Sequence, residues 1–176
     1  MSPTHSALIV AVPAAESAVA GLRARYDLAA SWGVPAHITV LFPFLAPGLV
    51  DDTVLAAACE AVASVPRFEV TLRRTGWFGD RVLWLAPEPA GPLRALTAAV
   101  WARFPQTPPY KGAFDDVVPH LTVGDDHPRD VLAEVEQQVT AHLPIRQSVG
   151  TVRLITGRCE PGDTWRTVAE LPLGSR

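Results

Sequence analysis

Apolar residues recur along this chain with two different periods, and the switches between them mark out its elements. Ala7-Leu8-Ile9-Val10-Ala11-Val12 is continuous and closed by Pro13, which reads as a buried strand. Ala15, Ala18, Val19, Leu22, Tyr26 and Ala29 then return at three- and four-residue steps, predicting one helix over about 14–31 that ends before Gly33 and Pro35. His37 to Phe42 is a short β-branched and aromatic run stopped by Pro43, a second strand. Asp51 is placed to cap a helix whose inward positions are Leu55, Ala58, Val62 and Val65. Phe68, Val70 and Leu72 alternate with polar neighbours, a turn follows from Gly76 to Asp80, and Val82 to Ala86 returns, so a hairpin is expected.

Pro92 suits the first turn of a third helix with Leu93, Leu96, Val100 and Phe104 inward, and a Pro-rich loop from Pro105 to Pro109 ends it. The second half repeats the order. Val118 to Val123 reads as a strand, Pro128 opens a helix with Leu132, Val135 and Val139 inward, and Val149 to Thr156 with Trp165 to Leu171 predicts a hairpin. Strand, helix and hairpin thus occur twice, over about 35–87 and 118–173, which predicts two lobes related by approximate twofold symmetry around a central cleft. Helices alternating with hairpins place the fold in the α+β class.

Composition narrows the function. With 176 residues, 48% of them hydrophobic and 19% charged, one globular domain spanning 1–176 is expected, and a monomer. A net charge of −3 disfavours a long nucleic acid held through many phosphates, while a small anion held by a few local groups is compatible. Cys59 and Cys159 form neither a Cys-x-x-Cys pair nor a zinc spacing, which points to a reducing cytoplasm. No apolar run reaches the roughly 20 residues that span a bilayer, so no membrane association is expected.

The chemistry sits on the two strands that lead the repeats. Both carry His-x-Thr, as His37-Ile38-Thr39-Val40 and His120-Leu121-Thr122-Val123. Side chains alternate along a strand, so His37 and Thr39 share one face, His120 and Thr122 share another, and the aliphatic residues between them face the core. Under the twofold, two imidazoles and two hydroxyls would meet. In-line transfer at a phosphodiester needs a base for the attacking oxygen and an acid for the leaving oxygen, and two His can divide those roles. The Thr hydroxyls would donate to the non-bridging oxygens, and no metal or nucleotide cofactor is then required. The near-symmetry leaves open which His is acid and which base.

These tetrapeptides, with Leu41-Phe42-Pro43-Phe44 after the first and Pro119 before the second, resemble the two-histidine phosphoesterases, a family that includes the so-called 2'-5' RNA ligases and cyclic nucleotide phosphodiesterases. The resemblance covers essentially the whole chain in size, motif spacing and repeat order. It implies a bilobal α+β fold with antiparallel sheets lining a cleft and helices outside. It also implies His37 and His120 as acid and base and Thr39 and Thr122 as phosphate ligands. The implied substrates are 2',3'- or 1'',2''-cyclic phosphates of nucleotides, or 2'-5' linked RNA ends.

Competing readings attach to the same residues. A single His-x-Thr is a weak signal, but His5, His127 and His142 lie in no similar setting. The quartet could bind a terminal phosphate or RNA end without turning it over. Asp115-Asp116 and Asp125-Asp126-His127 suggest a metal-dependent hydrolase, against which adjacent Asp beside Pro and Gly are usual in solvated turns. Tyr110 and Phe114 are placed to stack on a base and Lys111 to meet a phosphate, or all three belong to an ordinary loop. Trp32, Trp77, Trp84 and Trp165 read as contributors of buried area, and Arg73-Arg74 with Arg81 either as the wet face of a hairpin or with one of them reaching the cleft.

Overall fold

The computed structural model describes residues 2–175. Along the chain run β1 (His5–Ala11), α1 (Glu16–Tyr26), α2 (Leu28–Ser31), β2 (His37–Leu41), α3 (Asp52–Ala63), β3 (Phe68–Phe78), β4 (Val82–Glu88), α4 (Gly91–Arg103), β5 (Leu121–Asp125), α5 (Arg129–Thr140), β6 (Ile145–Val149), β7 (Thr151–Gly157) and β8 (Arg166–Pro172). The strands form two four-stranded antiparallel sheets, in the orders β2-β1-β7-β8 and β5-β4-β3-β6. The fold is therefore α+β, with α1 packed on β5, α4 on β2, and α3 against α4 and β8.

The halves of the chain exchange hairpins. β2 carries the first His-x-Thr in the first sheet, whereas the β3–β4 hairpin that follows it lies in the second. β5 carries the other motif in the second sheet, and β7–β8 return to the first. Each stretch of strand, helix and hairpin read from the sequence therefore contributes to both sheets, and β1 occupies an interior position of the first.

Alternation along the motif strands decides what each sheet face does. Ile38 and Val40 are 0% and 2% exposed and Leu121 and Val123 are 0%, all within one apolar cluster that spans both sheets. Burying each such side chain stabilises by about 1.5–3 kcal/mol, so a one-residue slip would lose four of them and bury His and Thr in their place. β1 is apolar on both faces: Leu8 and Val10 join the main cluster, while Ala7 and Ile9 join a second with Val34, Ile155 and Trp165.

Several element boundaries differ from the sequence expectation. The single helix expected over 14–31 is broken at Asp27, whose backbone is extended (φ −127°, ψ 111°). Its carboxylate accepts from the Ala29 N–H at 3.1 Å and from Arg23 Nε at 2.8 Å, so a side chain takes over what helical backbone bonding would supply. β5 starts at Leu121 rather than Val118, because Pro119 has no N–H for a ladder and the Val118 carbonyl is engaged by a side chain. β3 continues through Gly76 to Phe78, and the turn is displaced to about Gly79. β6, not expected, pairs with β3 at the far edge of the second sheet. Asp51 does cap α3, accepting from the Val54 N–H at 2.8 Å.

Gly76 lies directly opposite Trp84, whose indole covers it so closely that a Cβ would stand 2.5 Å from ring carbons. Gly76→Ala should therefore destabilise the fold by about 1–3 kcal/mol through overpacking. Chemical denaturation would measure this, and an unchanged midpoint would show that the indole can move aside.

Candidate functional site

The polar faces of β2 and β5 come together, and His37, Thr39, His120 and Thr122 all line one cleft of about 640 Å³. Each imidazole is held in the same way. His37 Nδ1 lies 2.8 Å from the Pro35 carbonyl and His120 Nδ1 lies 2.7 Å from the Val118 carbonyl, in both cases two residues upstream. A carbonyl only accepts, so Nδ1 carries the proton and Nε2 is left as the base in the neutral ring.

Burial chiefly lowers the His37 pKa, from 6.5 to about 4. The Pro35 hydrogen bond opposes this, Arg23 adds to it, Asp27 works against it, and the charge of His120 is itself felt at His37. His120 is also lowered by burial, opposed by its bond to Val118 and by the negative charge of Asp125. Phe78 meets the His120 ring edge-to-face at 4.8 Å and Trp84 stands at 6.0 Å, which supplies much of that apolar surrounding.

Behind His37 lies a buried ion pair. Arg23 and Asp27 are 2% and 6% exposed, and Arg23 Nη1 also donates to the Val34 carbonyl at 3.1 Å. The sequence held a signal for this pair: Val19, Arg23 and Asp27 follow four-residue steps, so two charged residues share the inward stripe of helix one. Phe78 and Trp84 had no comparable signal, since their approach to His120 depends on how β3 and β4 pair beside β5.

Of the loop residues, Tyr110 and Phe114 line the cleft and meet edge-to-face at 5.6 Å, whereas Lys111 is exposed and outside the lining. Tyr110 and Lys111 both have left-handed backbone (φ 49° and 56°), unusual for residues with a Cβ, and the Tyr110 N–H donates to the Phe42 carbonyl at 2.6 Å. Burial raises the Tyr110 pKa while its hydrogen bond with the Thr39 side chain works against the rise.

Of the acidic clusters, Asp116 and Asp125 line the cleft, while other members face other partners. Asp116 pairs with Arg94 at 2.6 Å, Asp126 pairs with Arg81 at 2.9 Å, and His127 stands edge-on to Tyr26 at 5.2 Å. Among the described residues, no three His, Cys, Asp or Glu side chains converge as metal ligands. Trp32 and Trp165 line the cleft as well as burying area, Trp77 donates to Glu136 at 3.1 Å, and Arg73 and Arg74 pair with Glu88. No helix among the described residues is long and apolar enough to cross a membrane.

A family model for the 2'-5' RNA ligase superfamily matches residues 11–158, a span that includes both motifs. The chain belongs to the 2'-5' RNA ligase superfamily. No curated protein matches the sequence significantly. Solved structures similar to this superfamily member include E. coli LigT in its apo form, at 18% identity and a TM-score of 0.65, covering 99% of this chain and 100% of that one. E. coli LigT complexed with 3'-AMP aligns at 18% identity and a TM-score of 0.62, over 98% and 99% of the two chains. A Thermus thermophilus structure aligns at 18% identity and 0.60, over 98% and 99%. At that identity the likeness concerns the fold, and it agrees with the two-sheet arrangement found here.

The depressed His37 pKa links stability to pH. Between about pH 4 and 6.5 an unfolded chain binds a proton at His37 that the folded chain does not, so stability rises with pH across this window. The contribution, at most about 3 kcal/mol, is lost as pH falls through the window. Urea denaturation from pH 4 to 7 should show a shallower acid-side slope for His37→Gln than for the wild type. Coincident slopes would mean that the ring titrates normally.

Proposed function

We propose that this superfamily member is a metal-independent phosphodiesterase acting on a cyclic or 2'-5' phosphodiester of a nucleotide or RNA end. The carrying observation is the duplicate geometry: two His on opposed strands, each with Nδ1 engaged by a carbonyl, share one cleft with two Thr hydroxyls. The phosphate is seated by Thr39 and Thr122, which donate to its non-bridging oxygens. Nucleotide complexes of the similar E. coli LigT, with 3'-AMP, NADP+ and ATP, support a small nucleotide-type ligand.

For a 2',3'-cyclic phosphate the steps balance as follows. Water attacks phosphorus and loses its proton to Nε2 of one His. The in-line bond to one ribose oxygen breaks, and that oxygen takes a proton from Nε2 of the other His. Burial and Arg23 disfavour a charged His37, against the opposing Asp27, while Asp125 favours a charged His120, which supports His37 as base and His120 as acid. Phosphate binding between the rings favours the imidazolium that the acid requires.

With 2',3'-cyclic nucleotides or short 2'-5' linked RNA in the presence of chelator, wild-type rates should be unaffected by the chelator. His37→Ala or His120→Ala should lose more than ~100-fold, and Thr39→Val or Thr122→Val on the order of 100-fold. Full activity in either His variant would exclude the mechanism. Binding without product would make the cleft a recognition module, and silencing by chelator would make it a metal-dependent hydrolase.

The division of roles also sets a pH profile. Activity rises as His37 loses its proton near pH 4 and falls as His120, itself lowered by burial, loses its own, so kcat/KM should follow a bell-shaped profile with its acid limb near pH 4. A flat profile with chemistry rate-limiting would contradict it.

A further inference from the structure

We infer that the protein favours the end of an RNA chain over a lone nucleotide, because a second cavity behind the loop 113–117 receives the base next to the terminal one, and Lys111 meets the phosphate that joins the two nucleotides. This subsite rests on the phosphodiesterase reading and names its substrate class.

The second cavity, of about 240 Å³, lies between α4 and the loop that leads into β5. It is smaller than the roughly 300–1,000 Å³ of a site for a whole drug-sized ligand, so it suits one fragment of a substrate. Phe114, Asp116 and Val117 line both this cavity and the cleft, so a single stretch of chain forms the wall between them. Arg94 fixes that wall from α4, donating through Nη1 to Asp116 Oδ1 at 2.6 Å and to the Val117 carbonyl at 3.0 Å. Two large aromatic side chains in the cavity are open to solvent: Phe114 is 63% exposed, and Trp101, outside the buried stripe of Leu93, Leu96 and Val100, is 44% exposed. Such rings offer stacking faces to a base, and Asp115, in the same lining, can accept from an exocyclic base amine.

The backbone between the two cavities supplies a cation. Tyr110 lines the cleft and Gly112 lines the second cavity, and two residues span at most about 7 Å of chain. Tyr110, Lys111 and Gly112 have φ of 49°, 56° and 75°, three successive left-handed residues of which the first two carry a Cβ. The Tyr110 N–H holds this turn at its start by donating to the Phe42 carbonyl at 2.6 Å. Lys111, between two lining neighbours, is itself exposed and forms no ion pair among the described residues. Among those residues no Lys or Arg lines the cleft itself, so a phosphate upstream of the scissile one finds its cation at this rim. One Lys for one phosphate also suits a net charge of −3, which disfavours a longer nucleic-acid track.

Three probes test this: a nucleoside 2',3'-cyclic phosphate, a dinucleotide ending in the same cyclic phosphate, and that dinucleotide with its upstream base removed. Turnover and equilibrium binding should be measured in parallel for the wild type, Trp101→Ala and Lys111→Gln. The dinucleotide should exceed the mononucleotide in affinity and kcat/KM on the order of tenfold, and removing its upstream base or substituting Trp101→Ala should each abolish most of that gain. Lys111→Gln should lower dinucleotide binding severalfold and flatten its salt dependence. Neither variant should change turnover of the mononucleotide. Equal binding of mononucleotide and dinucleotide by the wild type would overturn the inference while leaving the phosphodiesterase reading intact, and so would a Trp101→Ala loss that falls equally on both. The abasic comparison needs no variant, so it decides the matter even if Trp101→Ala does not fold. The expected order of binding without turnover of any probe would uphold the subsite and sink the catalytic reading. Failure of all three to bind would remove both.

Discussion

Each imidazole in the cleft is held by a carbonyl two residues upstream, and the arrangement of the site depends on that bond. Pro35 and Val118 lie just outside the strand ladders, so their carbonyls are free to accept from Nδ1. The bond settles the tautomer and limits rotation of the ring, leaving the lone pair on Nε2 in both copies. A strand that began two residues earlier would commit those carbonyls to a neighbour and release the rings. Proline helps at both places: Pro35 precedes the first motif, and Pro119 sits between Val118 and His120 without an N–H to offer the ladder.

The second determinant is the apolar surrounding of these polar groups. Burial lowers both His pKa values, which disfavours the charged form of each ring. The buried Arg23–Asp27 pair makes the two sides unequal, because its charges act on His37, while Asp125 acts on His120. A nearly symmetric quartet thereby has different charges behind its two imidazoles. The same pair breaks the first helix at Asp27, so a short polar interruption shapes both the backbone and the electrostatics of the cleft.

The sequence disclosed the α+β class and most element positions, because helical and strand periods differ and each inward face is strongly apolar. Leu93, Leu96 and Val100 on α4 and Leu132, Val135 and Val139 on α5 are all buried as their spacing predicts. It did not disclose β6, whose residues Ile145–Val149 become a strand by pairing with β3 at a sheet edge, far away in the chain. Nor did it separate Lys111, which faces solvent, from Tyr110 and Phe114, which line the cleft; a local run of five residues does not say which side of its loop meets the protein. The break at Asp27 was hidden because the four-residue step places Arg23 and Asp27 inward but does not tell that the Asp27 side chain replaces helical backbone bonding.

Period-two alternation within each His-x-Thr strand was by itself enough to place imidazole and hydroxyl on one face and Ile38, Val40, Leu121 and Val123 on the other, since side-chain direction in a strand is a local property of the backbone. Which strands became neighbours was decided only in three dimensions. The crossing of the hairpins between sheets, the indole laid over Gly76, the aromatic rings around His120 and the scarcity of cations in the cleft all depend on long-range pairing. Hydrogen bonding and burial select such pairings over the whole chain at once, and no window of sequence contains them.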